Sequence, residues 1–423
     1  MQIIKYPSQS DWTSLITRPV KDIFEIEKKV APILENVKNK GDEALREYAL
    51  AFDNIILNDI EMPLSAIESA ESKLSDELKN AIKLAYANIY QFHKGQLTAP
   101  EKIETMPGVV CWRKSVGIEK VGLYIPGGTA PLFSTVLMLG IPAQIAGCKR
   151  VVLCTPSDHP AILFAASLCG ITEIYRIGGA QAIGALAYGT DSIPKVYKIF
   201  GPGNQYVTAA KILVNKEGTA IDMPAGPSEV AVLVDQTAVP AFVASDLLSQ
   251  AEHGVDSQVL LVGTELSVIE AVIKEVALQT EDLPRKEIVK KAIENSRFIL
   301  VNDLVEAIDL LNEYAAEHLI LACQNAVEIE SQIFNAGSIF LGNYTPEAAG
   351  DYASGTNHTL PTNGFAMAYS GVSVDSFVKK ITVQHISEQG LQNVGPIVEL
   401  MAEAESLIAH KNAVTIRLNA ILK

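Results

Sequence analysis

Four of the seven histidines in this sequence stand close to carboxylate or amide side chains, the common partners of a metal-binding imidazole. They are His253 in "SQAEHG", His318 in "YAAEHLI", His358 in "DYASGTNH" and His410 in "EAESLIAHKNAV", with Gln250, Asp351 and Glu405 as oxygen donors near the first, third and fourth. Singly, each histidine has an ordinary explanation at a helix end or in solvent. Together, imidazole, carboxylate and amide groups without cysteine predict one zinc or manganese site with room for substrate.

The stretch "DLLSQAEHGVDSQVLLVG", from Asp246 to Gly263, shows how one of these groups is positioned. Its first half has helical periodicity, in which Asp246, Gln250 and His253 share one face. The pattern breaks at Gly254 and continues as a buried strand. A polar helix face, made of residue types that bind metals, therefore ends beside the helix terminus.

Short apolar runs alternate with helical patterns from Val121 onward, which is typical of parallel βαβ units. The runs are "VGLYIP", "RVVLCTP", "EIYRIGG", "VYKIFGP" and "SEVAVLVD", followed by "SQVLLVG", "RFILVND", "HLILAC" and "GSIFLG". We expect these two sets to form two α/β sheets rather than one very wide sheet. The first third of the chain predicts helices, Tyr344 to Asn363 predicts a long functional or disordered loop, and the C-terminal end predicts a small helical appendix.

Three strand ends in the first set carry glycine or proline turns that could hold a nucleotide. They are "YIPGGTAP" (Tyr124 to Pro131), "RIGGAQAIGA" (Arg176 to Ala185) and "FGPGNQYVTAAK" (Phe200 to Lys211). Ligands of open parallel sheets bind at the carboxyl ends of strands, where glycines let backbone N–H groups approach a pyrophosphate. No complete GxGxxG occurs, and any one of these loops is equally a tight turn. Three of them in one run favour a nucleotide modestly.

Composition excludes several classes of function. The chain has 423 residues, 48% of them hydrophobic, and a net charge of −15, which argues against general nucleic-acid binding. The longest apolar run is too short to cross a bilayer, and the N-terminus has no signal-peptide pattern. Five cysteines without a CxxC spacing fit a reducing compartment. We expect a soluble cytoplasmic protein with a small-molecule partner and no membrane contact.

Long segments of the chain, spread from about Leu45 to Arg417, resemble histidinol dehydrogenase. They are "GLYIPGGTAPLFSTVLMLGIPAQIAGCKRVVLCTP", "GGAQAIGALAYGT", "KIFGPGNQYVTAAK", "IDMPAGPSEV", "DLLSQAEHGVDSQ", "NEYAAEHL", "AGSIFLG", "DYASGTNHTLPT" and "EAES…AHKNAV". The resemblance implies a zinc-dependent, homodimeric enzyme of histidine biosynthesis. Such an enzyme oxidises L-histidinol to L-histidine through histidinal and uses two NAD molecules.

The resemblance also implies a fold. It predicts an α/β protein with two similar, incomplete Rossmann-like domains and a small helical C-terminal tail exchanged in a domain-swapped dimer. The predicted divisions are an N-terminal arm (1–22), a first α/β domain with the metal and catalytic residues (23–115 and 236–378), a second Rossmann-like domain with the NAD loops (116–235) and the tail (379–423).

Carried over to this chain, the resemblance implies a set of site residues. The zinc ligands fall on Gln250, His253, Asp351 and His410, the last from the partner subunit. Substrate contacts fall on these ligands and on Ser228, His318, His358 and Glu405, while NAD contacts fall on Tyr124, Gln181 and Asn204. The segment "TNGFAMAYSGVSVD" departs most from the family's wording and puts the shape of the neighbouring loop in doubt.

The oxidation of an alcohol to an acid removes two hydrides, and each step needs a base. The resemblance assigns the alcohol proton to His318 and the activation of water for the second step to Glu317. Neighbouring residues of a regular strand point to opposite faces, so the backbone there must turn for both to converge. Zinc would anchor and orient the substrate. A cysteine thiohemiacetal through Cys148 or Cys169 is rejected, because both lie in apolar surroundings that make thiols inert.

Two other functions compete with this interpretation. A zinc- and NAD-dependent dehydrogenase of another amino alcohol would keep the nucleotide loops and the zinc ligands but change the residues that face the imidazole. A two-lobed small-molecule binding protein would explain paired sheets and a cleft. The absence of an export signal and the adjacent Glu317 and His318 count against the second alternative.

Overall fold

The computed structural model describes residues 1–19, 23–127, 130–224 and 226–422. Predicted positions outside these ranges are 20–22 of the N-terminal arm, 128 and 129 of "YIPGGTAP", 225 of "IDMPAGPSEV" and 423 of the tail. The strands are β1 (Ile3–Lys5), β2 (Lys102–Met106), β3 (Val109–Gly117), β4 (Lys120–Tyr124), β5 (Arg150–Cys154), β6 (Glu173–Tyr175), β7 (Lys198–Phe200), β8 (Ala220–Ile221), β9 (Glu229–Val234), β10 (Gln258–Gly263), β11 (Arg297–Leu300), β12 (His318–Ala322), β13 (Ser338–Leu341) and β14 (Val378–Ile386).

Helices separate most of these strands. They are α1 (Gln9–Leu15), α2 (Ile23–Lys40), α3 (Asp42–Asp53), α4 (Leu64–Glu68), α5 (Asp76–Lys94), α6 (Phe133–Ala146), α7 (Pro160–Leu168), α8 (Gly179–Tyr188), α9 (Gln205–Lys216), α10 (Pro240–Ala251), α11 (Leu266–Asp282), α12 (Lys286–Glu294), α13 (Leu304–Tyr314), α14 (Ala326–Glu330), α15 (Glu347–Tyr352), α16 (Glu388–Ala404) and α17 (Ile408–Ile421). Within the described ranges, no helix combines the length and the apolar character needed to cross a lipid bilayer.

Two parallel sheets have the same strand order. The five-stranded sheet runs β6-β5-β4-β7-β8, and the six-stranded sheet runs β1-β11-β10-β9-β12-β13. Counted from β4 in the first sheet and from β9 in the second, both follow the order 3-2-1-4-5 of doubly wound sheets, with β1 added at one edge. The prediction of two parallel α/β sheets is confirmed, and each of the nine predicted apolar runs forms a strand.

The structure groups the chain differently from the predicted domains 23–115 with 236–378 and 116–235. The run "SEVAVLVD", predicted with the first sheet, is β9 at the centre of the six-stranded sheet, where it pairs with β10 and β12. Helices α2 and α5 pack on the five-stranded sheet, because Val30 and Ile89 are buried in clusters that include residues of β4. The boundary between the two sheets in the chain therefore falls between β8 and β9.

The predicted N-terminal arm is an integral part of the six-stranded sheet. β1 pairs in parallel with β11, with Ile4 opposite Ile299. Trp12 on α1 is buried in an apolar cluster together with Leu311 of α13. Residues 1–19 therefore extend the second sheet and cover one of its faces instead of forming a separate arm.

A third, antiparallel sheet was not predicted from the sequence. Its strand order is β14-β3-β2, and β14 pairs with β3 from Val378 opposite Gly117 to Ile386 opposite Val109. The predicted helical tail is wrong over this stretch, because the β-branched residues in "KKITVQHI" favour an extended chain. The remainder of the tail is helical, and α16 and α17 pack on each other as a hairpin in which α17 has no buried residue.

A buried ion pair fixes the turn that follows β7. Lys211 of α9 and Asp222 after β8 form the pair, and their side chains are 4% and 1% exposed. Asp222 Oδ2 accepts the N–H of Gly201 at 2.8 Å, while Lys211 Nζ donates to the Gly201 carbonyl at 3.0 Å. Gly201 has φ +133°, and a Cβ there would lie 2.0 Å from the carbonyl oxygen of Tyr124. The pair therefore holds a turn that only glycine can make.

Lys211→Met should lower the free energy of unfolding by about 3 to 5 kcal/mol, because it leaves the buried Asp222 carboxylate without its cation. The matched control is Lys216→Met on the same helix, whose exposed pair with Glu27 contributes at most about 1 kcal/mol. Urea denaturation of both variants measures the difference. Equal, small losses would show that the buried pair does not hold this turn.

Candidate functional site

Three ionisable side chains meet at the amino end of β12. The possible ligand atoms of His318, Glu347 and Asp351 all lie within 4.8 Å of one another, and His318 Nε2 is 3.3 Å from Asp351 Oδ1. His318 is the first residue of β12, whereas Glu347 and Asp351 are both on α15. This short helix lies within the stretch from Tyr344 to Asn363 that was predicted to be a loop.

Gln250 belongs to the same cluster. It lies in the last turn of α10, and its Nε2 donates to Glu347 Oε1. The helix ends at Ala251, before Gly254, as the sequence pattern predicts. Because the amide N–H₂ is engaged by Glu347, the amide oxygen of Gln250 is the atom left for another partner.

Four buried atoms of this cluster make no hydrogen bond within the part of the chain that the structure describes. They are Gln250 Oε1, His318 Nε2, Glu347 Oε2 and Asp351 Oδ1. His318 Nε2 and Asp351 Oδ1 face each other at 3.3 Å without the alignment of a hydrogen bond. Buried polar atoms are almost always paired, and four unpaired ones at a single point indicate a site for an additional polar or charged group. Two carboxylates and an amide oxygen are suited to a divalent cation such as zinc.

His253 and Ser228 lie at the open side of this cluster. His253 follows α10 and is exposed, with Nδ1 at 3.5 Å from Ser228 Oγ. Burial alone would raise the pKa of the Asp351 carboxyl. The imidazole of His318, with smaller contributions from His358 and His253, outweighs burial and lowers this pKa. His253 is therefore near enough to Asp351 to interact with its charge.

Glu317 and His318 converge on one residue, Glu229, at the amino end of β9. The backbone N–H of Glu229 donates to Glu317 Oε2 at 2.9 Å, and its carbonyl accepts from His318 Nδ1 at 3.3 Å. Glu317 precedes β12, and the chain enters it through Ala315, which has φ +52°. This turn lets two neighbouring side chains reach the same place, as the predicted pair of bases requires.

Burial and neighbouring charge shift the protonation of both groups. Burial raises the pKa of the Glu317 carboxyl to about 8. Burial lowers the pKa of His318, but the carboxylates of Glu317, Glu347 and Asp351 outweigh it and raise the value to about 10. Three carboxyl groups share one imidazole here, and a bound cation would favour the ionised form of Glu317 and Glu347, which is a second reason to expect a cation there.

His358 has both ring nitrogens occupied. Nδ1 donates to the carbonyl of Asp351 at 2.8 Å, and Nε2 lies 3.0 Å from Thr135 Oγ1 on α6. His358 therefore connects the helix that carries Asp351 to the domain of the five-stranded sheet. The structure does not bring Glu405 and His410 to this cluster, since both are exposed in the α16–α17 hairpin.

Glu347 is the member of the cluster that sequence analysis missed. It is 1% exposed, and burial raises the pKa of its carboxyl to about 8. The signal was present in "TPEAAGDY", where Glu347 and Asp351 stand four residues apart and share a helix face. It was overlooked because six helical residues are too few to give a periodic pattern.

A second candidate site is a cavity of about 890 Å³ at the carboxyl ends of β4 and β7. Its lining includes the three predicted NAD residues Tyr124, Gln181 and Asn204. The amino ends of α8 and α9 reach its rim, and such helix ends attract phosphates. The size and position of this cavity match the crevice in which doubly wound sheets bind nucleotides.

The polar groups of this cavity are held in place by the chain. Tyr124 Oη accepts the N–H of Gly179 at 3.1 Å, and burial raises the pKa of this phenol to about 12, so it stays protonated at neutral pH. Asn204 Oδ1 accepts the N–H of Tyr206 at 3.0 Å and caps α9. Gln181 Oε1 is buried without a partner among the described residues, which leaves it free for a ligand.

Cys148 and Cys169 are unsuited to covalent catalysis. Burial raises the pKa of Cys148 to about 11 and that of Cys169 further. Both thiols are protonated at neutral pH, whereas a nucleophile must be a thiolate. This supports the rejection of a thiohemiacetal mechanism.

Comparison with known proteins gives matches over nearly the whole chain. The family model described as histidinol dehydrogenase matches residues 16–418. A histidinol dehydrogenase of Bacteroides thetaiotaomicron is 58% identical over 426 residues and covers 100% of both sequences. One from Escherichia coli strain K12 is 50% identical, covering 97% of this chain and 98% of the relative. The crystal structure of histidinol dehydrogenase from Elizabethkingia anophelis superposes with a TM-score of 0.97 at 53% identity, covering 100% of this chain and 99% of that one.

Glu347→Gln should lower the affinity for zinc by about 10- to 100-fold, because it removes the carboxylate that a bound cation would stabilise and weakens the contact that orients Gln250. Competition between the metal-free protein and a chelating dye measures this affinity. Glu252→Gln is the matched control, since Glu252 adjoins His253 but lies outside the cluster of ligand atoms. Unchanged affinity in Glu347→Gln would show that Glu347 neither binds the metal nor orients a residue that does.

Proposed function

The chain belongs to the histidinol dehydrogenase family, and we propose that it catalyses the last step of histidine biosynthesis with NAD as hydride acceptor. In this reaction L-histidinol is oxidised to histidinal and then to L-histidine. The observation that carries the proposal is the convergence of Glu317 and His318 on the amino end of β9, beside four unpaired buried atoms. Two bases and a cation site at one point are what a two-step oxidation of an amino alcohol needs.

Zinc is the metal proposed for the cluster, one ion per subunit. Gln250, His253 and Asp351 of one chain would hold it together with His410 of the partner subunit. The support is the unpaired Gln250 Oε1 and Asp351 Oδ1, together with the excess of carboxylates around them. When bound, zinc supplies a positive charge that anchors the imidazole and amine of the substrate. Glu347 would orient Gln250 from behind.

The protein's own groups then have separate tasks. His318 Nδ1 is held by the Glu229 carbonyl, so Nε2 is the atom that faces the cluster. It would take the proton of the alcohol once a bound cation offsets the carboxylates that raise the pKa of His318. Glu317 takes a proton from the water that attacks the aldehyde, and its raised pKa makes it a base of useful strength near neutral pH. Ser228, His358 and Glu405 would contact the substrate.

NAD is proposed to bind in the cavity of about 890 Å³, where it accepts the hydride of each step. Tyr124 and Gln181 would contact it through a protonated phenol and a buried amide, and Asn204 would place the amino end of α9 beside its phosphates. The glycines of this cavity leave no room for side chains. A Cβ on Gly127 would lie 2.4 Å from Pro156 Cγ.

The proposed active unit is a domain-swapped homodimer. The α16–α17 hairpin supports this, because α17 has no buried residue in the single chain. Its exposed apolar side chains include Ile397, Leu400, Met401, Leu407, Ile408 and Ile416. Such a surface needs a partner, and a two-fold exchange would carry Glu405 and His410 into the other subunit's site.

The test of the reaction is its stoichiometry and its dependence on Glu317. The zinc-loaded protein should form two NADH per L-histidinol and none from amino alcohols that lack the imidazole. Glu317→Gln should slow the oxidation of histidinal by about 100-fold or more and affect the first oxidation far less, because only the second step needs activated water. Glu313→Gln is the control, because Glu313 lies four residues earlier in the chain, in the last turn of α13. Equal losses in both steps would overturn the role assigned to Glu317.

Mixed dimers test the exchange of the tail. In a dimer of one Glu317→Gln chain and one His410→Asn chain, the site on the second chain keeps its own Glu317 and receives an intact His410. An equal mixture that is denatured and refolded together should therefore recover roughly a quarter of the wild-type activity, because half of the dimers are mixed and half of their sites are whole. Differently tagged chains prove the mixing. No recovery in proven mixed dimers would place His410 in its own subunit's site or outside it.

A further inference from the structure

One side chain of the N-terminal segment lies beside the catalytic pair. Arg18 Nε donates to Glu229 Oε1 at 3.0 Å, and Arg18 Nη2 donates to Glu229 Oε2 at 2.8 Å. The two side chains are 11% and 1% exposed. Nη2 also donates to the carbonyl of Tyr314 at 2.5 Å, and the guanidinium carbon lies 4.0 Å from the centre of the Tyr314 ring. Arg18 thus joins two segments that are far apart in sequence.

Both of these segments lead directly to the catalytic pair. Glu229 begins β9, and its backbone N–H and carbonyl bind Glu317 Oε2 and His318 Nδ1. Tyr314 ends α13 and stands just before the turn at Ala315 that delivers Glu317. Arg18 therefore contacts the residue that holds the two bases and the helix end from which they emerge.

The surrounding contacts keep Arg18 and Glu229 in one arrangement. Gln258 Nε2 donates to the carbonyl of Thr17 at 3.1 Å, and Gln258 Oε1 accepts from Tyr314 Oη at 3.0 Å. The backbone N–H of Asn363 also donates to Glu229 Oε1. The Glu229 carboxylate is therefore bound from two sides. The segment that carries Arg18 is also held by the hydrogen bond to the carbonyl of Thr17.

Fold stability alone is a weak reason for such a pair. A buried ion pair loses most of its Coulomb energy to desolvation, and apolar replacements of similar volume are often as stable. What the fork of an arginine adds is direction, because two parallel N–H···O bonds fix the carboxylate in orientation as well as in distance.

We propose that Arg18 and Glu229 are positioning residues for Glu317 and His318. Their fork fixes the amino end of β9 against the carboxyl end of α13, and this sets where the two bases stand relative to each other and to the cluster. The inference rests on the proposed roles of Glu317 and His318 as bases. A displacement of about 1 Å in such groups costs about 100-fold in rate, so the pair affects catalysis without touching the substrate.

Three variants distinguish the effect of the two parallel hydrogen bonds of Arg18 from the effect of its positive charge. Arg18→Met removes both and should lower kcat of each oxidation step by about 100-fold with little change in KM. Arg18→Lys keeps the charge without the fork and should restore only part of the rate. Glu229→Gln keeps the shape and the acceptor for Asn363, and it provides the same test if Arg18→Met does not fold.

A double-mutant comparison distinguishes positioning from general damage. In the Glu317→Gln background, Arg18→Met should cause little further loss in the oxidation of histidinal, because the group it positions has already lost its function. The control for the fork geometry is Arg150→Met, which breaks a more exposed fork on Glu173 in the five-stranded sheet, with bonds of 2.9 and 2.7 Å. This control should leave kcat essentially unchanged.

The outcomes separate this inference from the proposed function. If Arg18→Met slows Glu317→Gln by the same factor as it slows the wild type, or if Arg18→Lys is as active as the wild type, the positioning role is wrong. If the wild type does not oxidise histidinol, or if Glu317→Gln leaves the second step intact, the proposed function itself fails. Loss of rate in Arg150→Met equal to that in Arg18→Met would also overturn the inference, because any broken fork would then have the same effect.

Discussion

Two backbone hydrogen bonds of Glu229 hold the side chains of the two proposed bases, Glu317 and His318. The N–H binds Glu317 Oε2 and the carbonyl binds His318 Nδ1, so the two peptide groups that flank the Cα of one residue hold both side chains. The position of these groups is set in turn by β9, which lies at the centre of the six-stranded sheet with all of its residues buried. A central parallel strand is among the least mobile parts of a fold. The geometry of Glu317 and His318, the proposed bases, is therefore set by the core and not by the surface loops around them.

Electrostatics supports the proposal that the cluster binds a cation. His318 faces the carboxylates of Glu317, Glu347 and Asp351, while the Glu229 carboxylate is already neutralised by Arg18. Carboxylates this close to one another repel, and burial raises the pKa values of Glu317 and Glu347 to about 8. A divalent cation, as proposed for this cluster, would relieve this repulsion and would give the atoms without hydrogen bonds a partner. In the proposed enzyme the same charge binds the substrate, so one ion serves the fold and the reaction.

Much of the architecture could be read from the sequence, because buried parallel strands such as "SQVLLVG" give continuous apolar runs. What the runs could not show was which sheet each strand joins. β9 and its neighbours look alike in sequence, and pairing is decided by packing between distant segments. Strand β14 was missed because an exposed strand has no buried alternation to detect, and α15 because it is too short to have a period. Among site residues, local motifs predicted Gln250, Glu317, His318 and Asp351, whereas Arg18 and Glu347 depend on contacts across the chain.

The two sheets share a strand order, but their candidate sites lie at opposite ends of the strands. The nucleotide cavity lies at the carboxyl ends of β4 and β7, as is usual for such sheets, whereas Glu317 and His318 stand at the amino end of β12. In the proposed reaction a hydride passes directly from substrate to cofactor, so the carboxyl ends of β4 and β7 must face the amino end of β12. The contact between His358 Nε2 and Thr135 Oγ1, at 3.0 Å, and the bond from Asn357 Nδ2 to the Met138 carbonyl, at 2.6 Å, fasten the loop after α15 to α6 of the other domain. These two contacts fix the position of one sheet relative to the other, and the proposed active site depends on that position. A similar pair of sheets with a different connecting loop would not reproduce it.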